Sequence, residues 1–103
     1  MSEQLPKCPI ARTAMILGSR WTAQIIRELL DNDRRRFQDF SDGLDGITPA
    51  TLSNRLKMLE ESGVVARKIY ETHPPRADYV LTAKGKKMAA IIGAMRDWGA
   101  KYG

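Results

Sequence analysis

The segment from Ile47 to Gly63 constrains this chain more tightly than any other. Thr48 offers a hydroxyl to cap a helix, and Pro49 suits the first helical position because its absent N–H would be unpaired there anyway. Leu52, Leu56 and Leu59 follow on one face before Gly63 ends the run. The pattern predicts a helix over about 48–62 whose three leucines must be covered by a core. In 103 residues that core is small. A domain of this size hides only about two-thirds of the surface its unfolded chain exposes, so it is marginal alone and a partner subunit is expected.

The remaining chain reads as short elements around that helix. Pro9 opens a first helix carrying Ile10, Ala14 and Leu17 up to Gly18. Thr22 is expected to cap a second, with Ile25, Ile26, Leu29 and Leu30 on one side and Trp21 packed at its entrance. Phe37 and Phe40 mark a brief third helix before Asp42-Gly43. After Gly63 the residues turn β-like, with Val64, Val65, Ile69 and Tyr70 before the loop around Pro74-Pro75 and Tyr79, Val80 and Leu81 after it, predicting a hairpin over about 64–81. Thr82 is then expected to cap a long C-terminal helix over about 83–102. The chain is therefore read as one domain, 1–103, mainly α (α+β), in which a helix-turn-helix precedes a two-stranded wing. The stripe Met88, Ile91, Ile92, Met95 and Trp98 exceeds what one small core can cover. Together with Ile10 on the first helix, it is the expected interface of a homodimer.

Several classes are disfavoured. Uncharged stretches such as Thr13–Ser19 and Met88–Met95 fall well short of the roughly 20 apolar residues of a membrane span. The N-terminal residues lack the apolar run of a secretory signal, so the expected location is cytoplasmic. One cysteine, Cys8, and one histidine, His73, support neither an internal disulfide nor a zinc finger, and no metal or cofactor is expected. Seventeen Lys+Arg against twelve Asp+Glu give a net charge of +5, which favours an anionic partner such as double-stranded DNA.

The third and fourth helices form a helix-turn-helix candidate, so function is read on the outer face of the second of the pair. With the leucines inward, Ala50, Asn54, Lys57 and Glu61 point outward, flanked by Thr51, Ser53 and Arg55, with Thr48 at the helix start. Asparagine can pair with adenine, lysine and arginine reach guanine or phosphate, and alanine or threonine methyls touch thymine. Arg67, Lys68 and Arg76 on the hairpin add basic groups beside it. The competing readings are a solvated helix face with an ordinary basic hairpin, and a winged-helix module that binds protein rather than DNA. A thiol enzyme is argued against, because the only histidine lies far along the chain from Cys8 and leaves no base.

The order of these motifs resembles the HxlR-type winged helix-turn-helix regulators, relatives of the MarR-type regulators. The strings that carry it are Cys8-Pro9, LGSRWT at 17–22, RRF at 35–37, GITPATLSNRLKMLEESGVVARKIY at 46–70, PPRADYVLTAKG at 74–85 and Trp98-Gly99. LGSR stands where the family often has IGGK. The resemblance implies a sequence-specific, dimeric DNA-binding regulator without catalytic activity, with its recognition helix at 48–62 and its wing between Tyr70 and Tyr79; because a two-fold dimer presents its two recognition helices a helical turn or a multiple of it apart, the expected operator is an inverted repeat.

Cys8 has two readings. It precedes Pro9 at a helix N-terminus, where unpaired N–H groups favour a thiolate, and Lys7 and Arg12 add positive charge. The resemblance adds that several HxlR-type members use an N-terminal cysteine at the matching position to sense oxidants, quinones or aldehydes. Otherwise Cys8 packs under the dimer arm as a small hydrophobe. An oxidant or a small molecule is the expected effector. His73 is read as a solvated or phosphate-adjacent wing residue, and Trp21 and Trp98 as core and interface aromatics.

Overall fold

The three leucines of the central helix do meet a core, and that core draws on nearly every element of the chain. The computed structural model describes residues 5–72 and 75–103, with side chains described outside 71–75. In order, the elements are α1 (Pro9–Leu17), α2 (Arg20–Asp31), α3 (Phe37–Gly43), α4 (Pro49–Glu61), β1 (Val65–Thr72), β2 (Pro75–Leu81), α5 (Ala83–Lys86) and α6 (Ala89–Tyr102). Ile25, Ile26 and Leu29 of α2 and Phe40 and Leu44 at α3 enclose Leu52, Leu56 and Leu59. Val64, Val65, Leu81, Met88 and Ile92 close the far side. Among the described residues, no helix is long and apolar enough to cross a membrane.

α4 begins and ends as its sequence predicts. Thr48 Oγ1 accepts from the Thr51 amide at 3.2 Å. At the other end Gly63 N bonds Glu60 O and Val64 N bonds Leu59 O, both at 3.0 Å, the paired bonds of a Schellman stop. Gly46, in the turn between α3 and α4, has φ +89°, a conformation that a side chain would strain.

Two local expectations are corrected. Ser19, not Thr22, caps α2: its hydroxyl accepts from the Trp21 and Thr22 amides at 3.2 and 3.3 Å. Thr22 lies one turn in, fully buried, and satisfies its own hydroxyl on Ser19 O. The region 83–102 is two helices rather than one. Thr82 caps only α5, accepting from Gly85 N at 3.1 Å, and the chain breaks at Lys87 and Met88, whose ψ angles are −9° and −3°. Met88 and Ile92 consequently turn into the protomer's own core, while Ile91, Met95, Trp98 and Tyr102 remain exposed.

The wing is an antiparallel pair with Val65 opposite Leu81 and Ile69 opposite Ala77, its register slipping between Ile69 and Glu71. His73 and Pro74 lie outside the described residues, and the loop reading of them with it. A single bridge residue, Arg35, absent from the sequence reading, pairs antiparallel with Tyr79 of β2. Arg35 N bonds Tyr79 O at 3.1 Å and Tyr79 N bonds Arg35 O at 2.8 Å.

Gly85 is buried where α5 crosses the start of β1, and a Cβ there would run into the Val64 carbonyl oxygen and approach Leu81 Cδ2 at 3.0 Å. Because backbone cannot yield as a side-chain tip does, Gly85→Ala is expected to destabilise the fold by about 3 kcal/mol, the upper range for overpacking. A chemical-denaturation midpoint measured beside the wild type checks it.

Candidate nucleic-acid interface

The outer face of α4 carries the groups that its sequence pattern assigns to it. Ala50, Ser53, Asn54 and Lys57 are exposed, and Thr51 and Arg55 are half-buried. Its first turn contains no acidic residue, so the positive end of the helix faces solvent without internal compensation. Glu60 and Glu61 come only at the opposite end.

Asn54 and Arg55 act as a pair. Arg55 Nη1 donates to Asn54 Oδ1 at 2.7 Å, holding the amide with its NH2 group away from the guanidinium. Arg55 Nε is buried without a hydrogen-bond partner among the described residues, so this guanidinium is only partly satisfied by the protein.

The wing's basic residues are divided by strand alternation rather than gathered in one cluster. Arg67 stands opposite Tyr79 and Lys68 opposite Asp78, so the two cations occupy opposite faces of the ribbon. On the first face, burial raises the Tyr79 hydroxyl above its ordinary pKa of 10.0; the charge and hydrogen bond of Arg67 oppose that, and Glu60 reinforces it. Tyr79 also packs edge-on against Phe40 of α3, with centroids 6.0 Å apart. On the second face, Asp78 takes Arg34 Nη1 at 3.4 Å. Arg76 is exposed on β2, in register with Glu71.

Arg34 and Arg36 are functional candidates that sequence reasoning leaves as members of a charged turn. Because Arg35 is stitched to Tyr79, this arginine run lies along the ribbon, and both Arg34 and Arg36 are exposed there. The three consecutive arginines are the available signal, but without the bridge nothing ties them to the wing.

The expected interface residues separate. Ile10, Ile91, Met95 and Trp98 are exposed, whereas Met88 and Ile92 belong to the core. Cys8 is exposed at the N-cap of α1, where its side chain makes no capping bond. Arg12, expected to lend charge to the thiol, instead donates Nε to Pro6 O at 2.6 Å and Nη2 to Lys7 O at 3.2 Å. It braces the backbone of the N-terminal arm.

A capped helix projecting from a helix-turn-helix, with a ribbon beside it, defines the winged helix-turn-helix class of transcription regulators. Residues 16–103 match the HxlR-like helix-turn-helix family model, and the chain belongs to that family. It is 35% identical to the HTH-type transcriptional regulator YdeP of Bacillus subtilis (strain 168), over 98% of this chain and 78% of that relative. Among solved structures it is similar to the redox regulator HypR in its oxidized form, with a TM-score of 0.85 and 30% identity over 93% of this chain and 98% of that one. It is also similar to the reduced form of the transcriptional regulator YodB from B. subtilis, with a TM-score of 0.77 and 32% identity over 94% and 95%.

Proposed function

We propose that this regulator binds a specific inverted-repeat operator as a homodimer in the cytoplasm, without catalysing a reaction, and that Cys8 tunes its binding to oxidants or electrophiles. The observation that carries the DNA reading is the outer face of α4, with no acid in its first turn and Asn54 and Lys57 exposed along it. The Asn54 amide, steadied by Arg55, reads a base edge, while Ala50, Thr51, Ser53 and Thr48 line the approach. Lys57, Arg67, Lys68 and Arg76 neutralise phosphates, with Arg34 and Arg36 extending that basic surface along the wing.

Two mutants separate these roles in binding titrations against an operator and scrambled DNA. Asn54→Ala is expected to relax preference at one position per half-site, at a cost of about 1 to 3 kcal/mol. Lys57→Ala is expected to weaken binding to all sequences and to flatten the log–log salt dependence by about 0.9 for each phosphate no longer neutralised. Equal losses on every sequence from both would remove the division of roles. Unchanged binding in both would favour a protein partner.

The homodimer rests on the apolar surface that α1 and α6 expose together. Ile10 and Ile91 border one shallow depression, and Ile91, Met95 and Trp98 border the next, so the two helices present a continuous patch. Ile10 is 80% and Trp98 64% exposed in the single chain, and it is their joining into one patch, not the exposure of either alone, that marks an interaction surface. Sedimentation is expected to report a dimer at micromolar concentration, and Trp98→Ala to weaken it by about 3 kcal/mol if the indole is buried there.

The exposed thiol of Cys8 at a helix N-terminus supports the sensing role, as does the likeness to HypR, which is named a redox regulator. With one cysteine per chain, any disulfide joins two subunits or a subunit and a small thiol. Diamide or a quinone is expected to change operator affinity in the wild type and to leave Cys8→Ser unaffected. Equal responses would return Cys8 to a packing role.

A further inference from the structure

The polar groups on the outer face of α4 are sorted before any DNA arrives. Arg55 Nη1 donates to Asn54 Oδ1 at 2.7 Å, a charge-assisted bond between a half-buried guanidinium and an exposed amide. The oxygen is held on the arginine's side, and the Nδ2 hydrogens are left for a partner, because a flipped amide would set those donors against the donors of Nη1. Arg55 Nε is itself buried, so the guanidinium is set into the protein surface rather than swinging clear of it.

Acceptors are scarce on the same face. Between Pro49 and Leu59 the helix carries no carboxylate, and Thr48 Oγ1 donates to Thr51 Oγ1 at 2.9 Å, so these two hydroxyls engage each other. Lys57, close to one turn beyond Asn54 and exposed, adds further donors.

We propose that Asn54 and Arg55 act as one edge of paired donors, and that the base they select is guanine. The inference rests on the operator-binding reading above and names the base which that reading leaves open. In the major groove guanine presents adjacent acceptors, N7 and O6. Asn54 Nδ2 takes one of them, and an Nη hydrogen of Arg55 other than the one given to Asn54 takes the other. Adenine offers N7 alone and sets its N6 donor against the donors of the protein. Its usual bidentate pairing with asparagine needs Oδ1 turned toward the base and away from Arg55, which breaks the 2.7 Å bond. Cytosine presents a donor and thymine a single acceptor beside a methyl group, so neither satisfies both side chains. Arg55 thus sets specificity in two ways, by orienting the amide and by completing the edge.

Selection of the full chain on a library of random duplexes, followed by binding titrations on defined duplexes carrying each base at each half-site position, tests the assignment. The decisive position is the one whose preference Asn54→Ala loses. There the wild type is expected to favour guanine over adenine about tenfold. Arg55→Met, which frees Oδ1 and removes a donor, is expected to abolish that preference. Asn54→Asp still accepts from Arg55 but has no donor, and is expected to move the preference from guanine to cytosine, whose N4 donates. Circular dichroism identifies a variant that does not fold; if Arg55→Met is one, the wild-type ratio and the Asn54→Asp exchange decide. Three results overturn the proposal while leaving sequence-specific binding intact: a preferred base other than guanine at that position, a guanine preference unchanged in folded Arg55→Met, or guanine retained by Asn54→Asp. So does the absence of any position that depends on Asn54. Failure of the wild type to enrich any sequence refutes the operator reading itself, and the proposal with it.

Discussion

The hydroxyl of Thr82 donates to the Gly63 carbonyl at 2.6 Å and accepts from the Gly85 amide at 3.1 Å, so one side chain joins the stop of α4, the end of the ribbon and the start of α5. Its own amide bonds Val64 O at 3.0 Å, and Lys84 reaches back to Ser62 O. Gly85 lies so close to the Val64 backbone that only a residue without a Cβ leaves this junction intact. The orientation of α4 therefore depends on residues that follow it by about a quarter of the chain, because the ribbon returns to the point where α4 ends. The Schellman stop alone would end the helix without saying where it points.

A second tie runs through Tyr79. Its backbone bonds Arg35 in both directions, its ring packs on Phe40, and its hydroxyl meets Arg67. The wing is thus fastened to the first helix of the helix-turn-helix as well as to the second. The ribbon and α4 therefore share one frame, which the proposed division between phosphate binding and base reading would need.

The helices that carry the core are legible because periodic leucines and isoleucines state which face is buried, and because Thr48, Pro49 and Gly63 mark ends that obey local chemistry. The misreadings arise where local chemistry permits two answers. Ser19 and Thr22 are both competent caps, and the choice falls to the residue with extended backbone, Ser19 at φ −120° and ψ 147°. The break before α6 leaves the apolar stripe looking continuous, since Met88 and Ile92 keep helical spacing from residues that end on the opposite side. Arg67 and Lys68 are neighbours in sequence, and pairing register sends them to opposite faces. The Arg35 bridge and the Asn54–Arg55 bond follow from three-dimensional placement, for which the sequence carries no periodic signal.

The break at Lys87 and Met88 works as an elbow. On its N-terminal side α5 is tied to the end of α4 and the start of β1 through Thr82 and Gly85, while α6 leaves at an angle fixed by two ψ values near zero. In a two-fold assembly built on α6, that angle would set the distance and twist between the two α4 helices. Substitutions at the elbow could then alter the spacing of operator half-sites without touching a residue that reads a base. Relatives with the same α4 could diverge in which DNA they occupy by geometry alone.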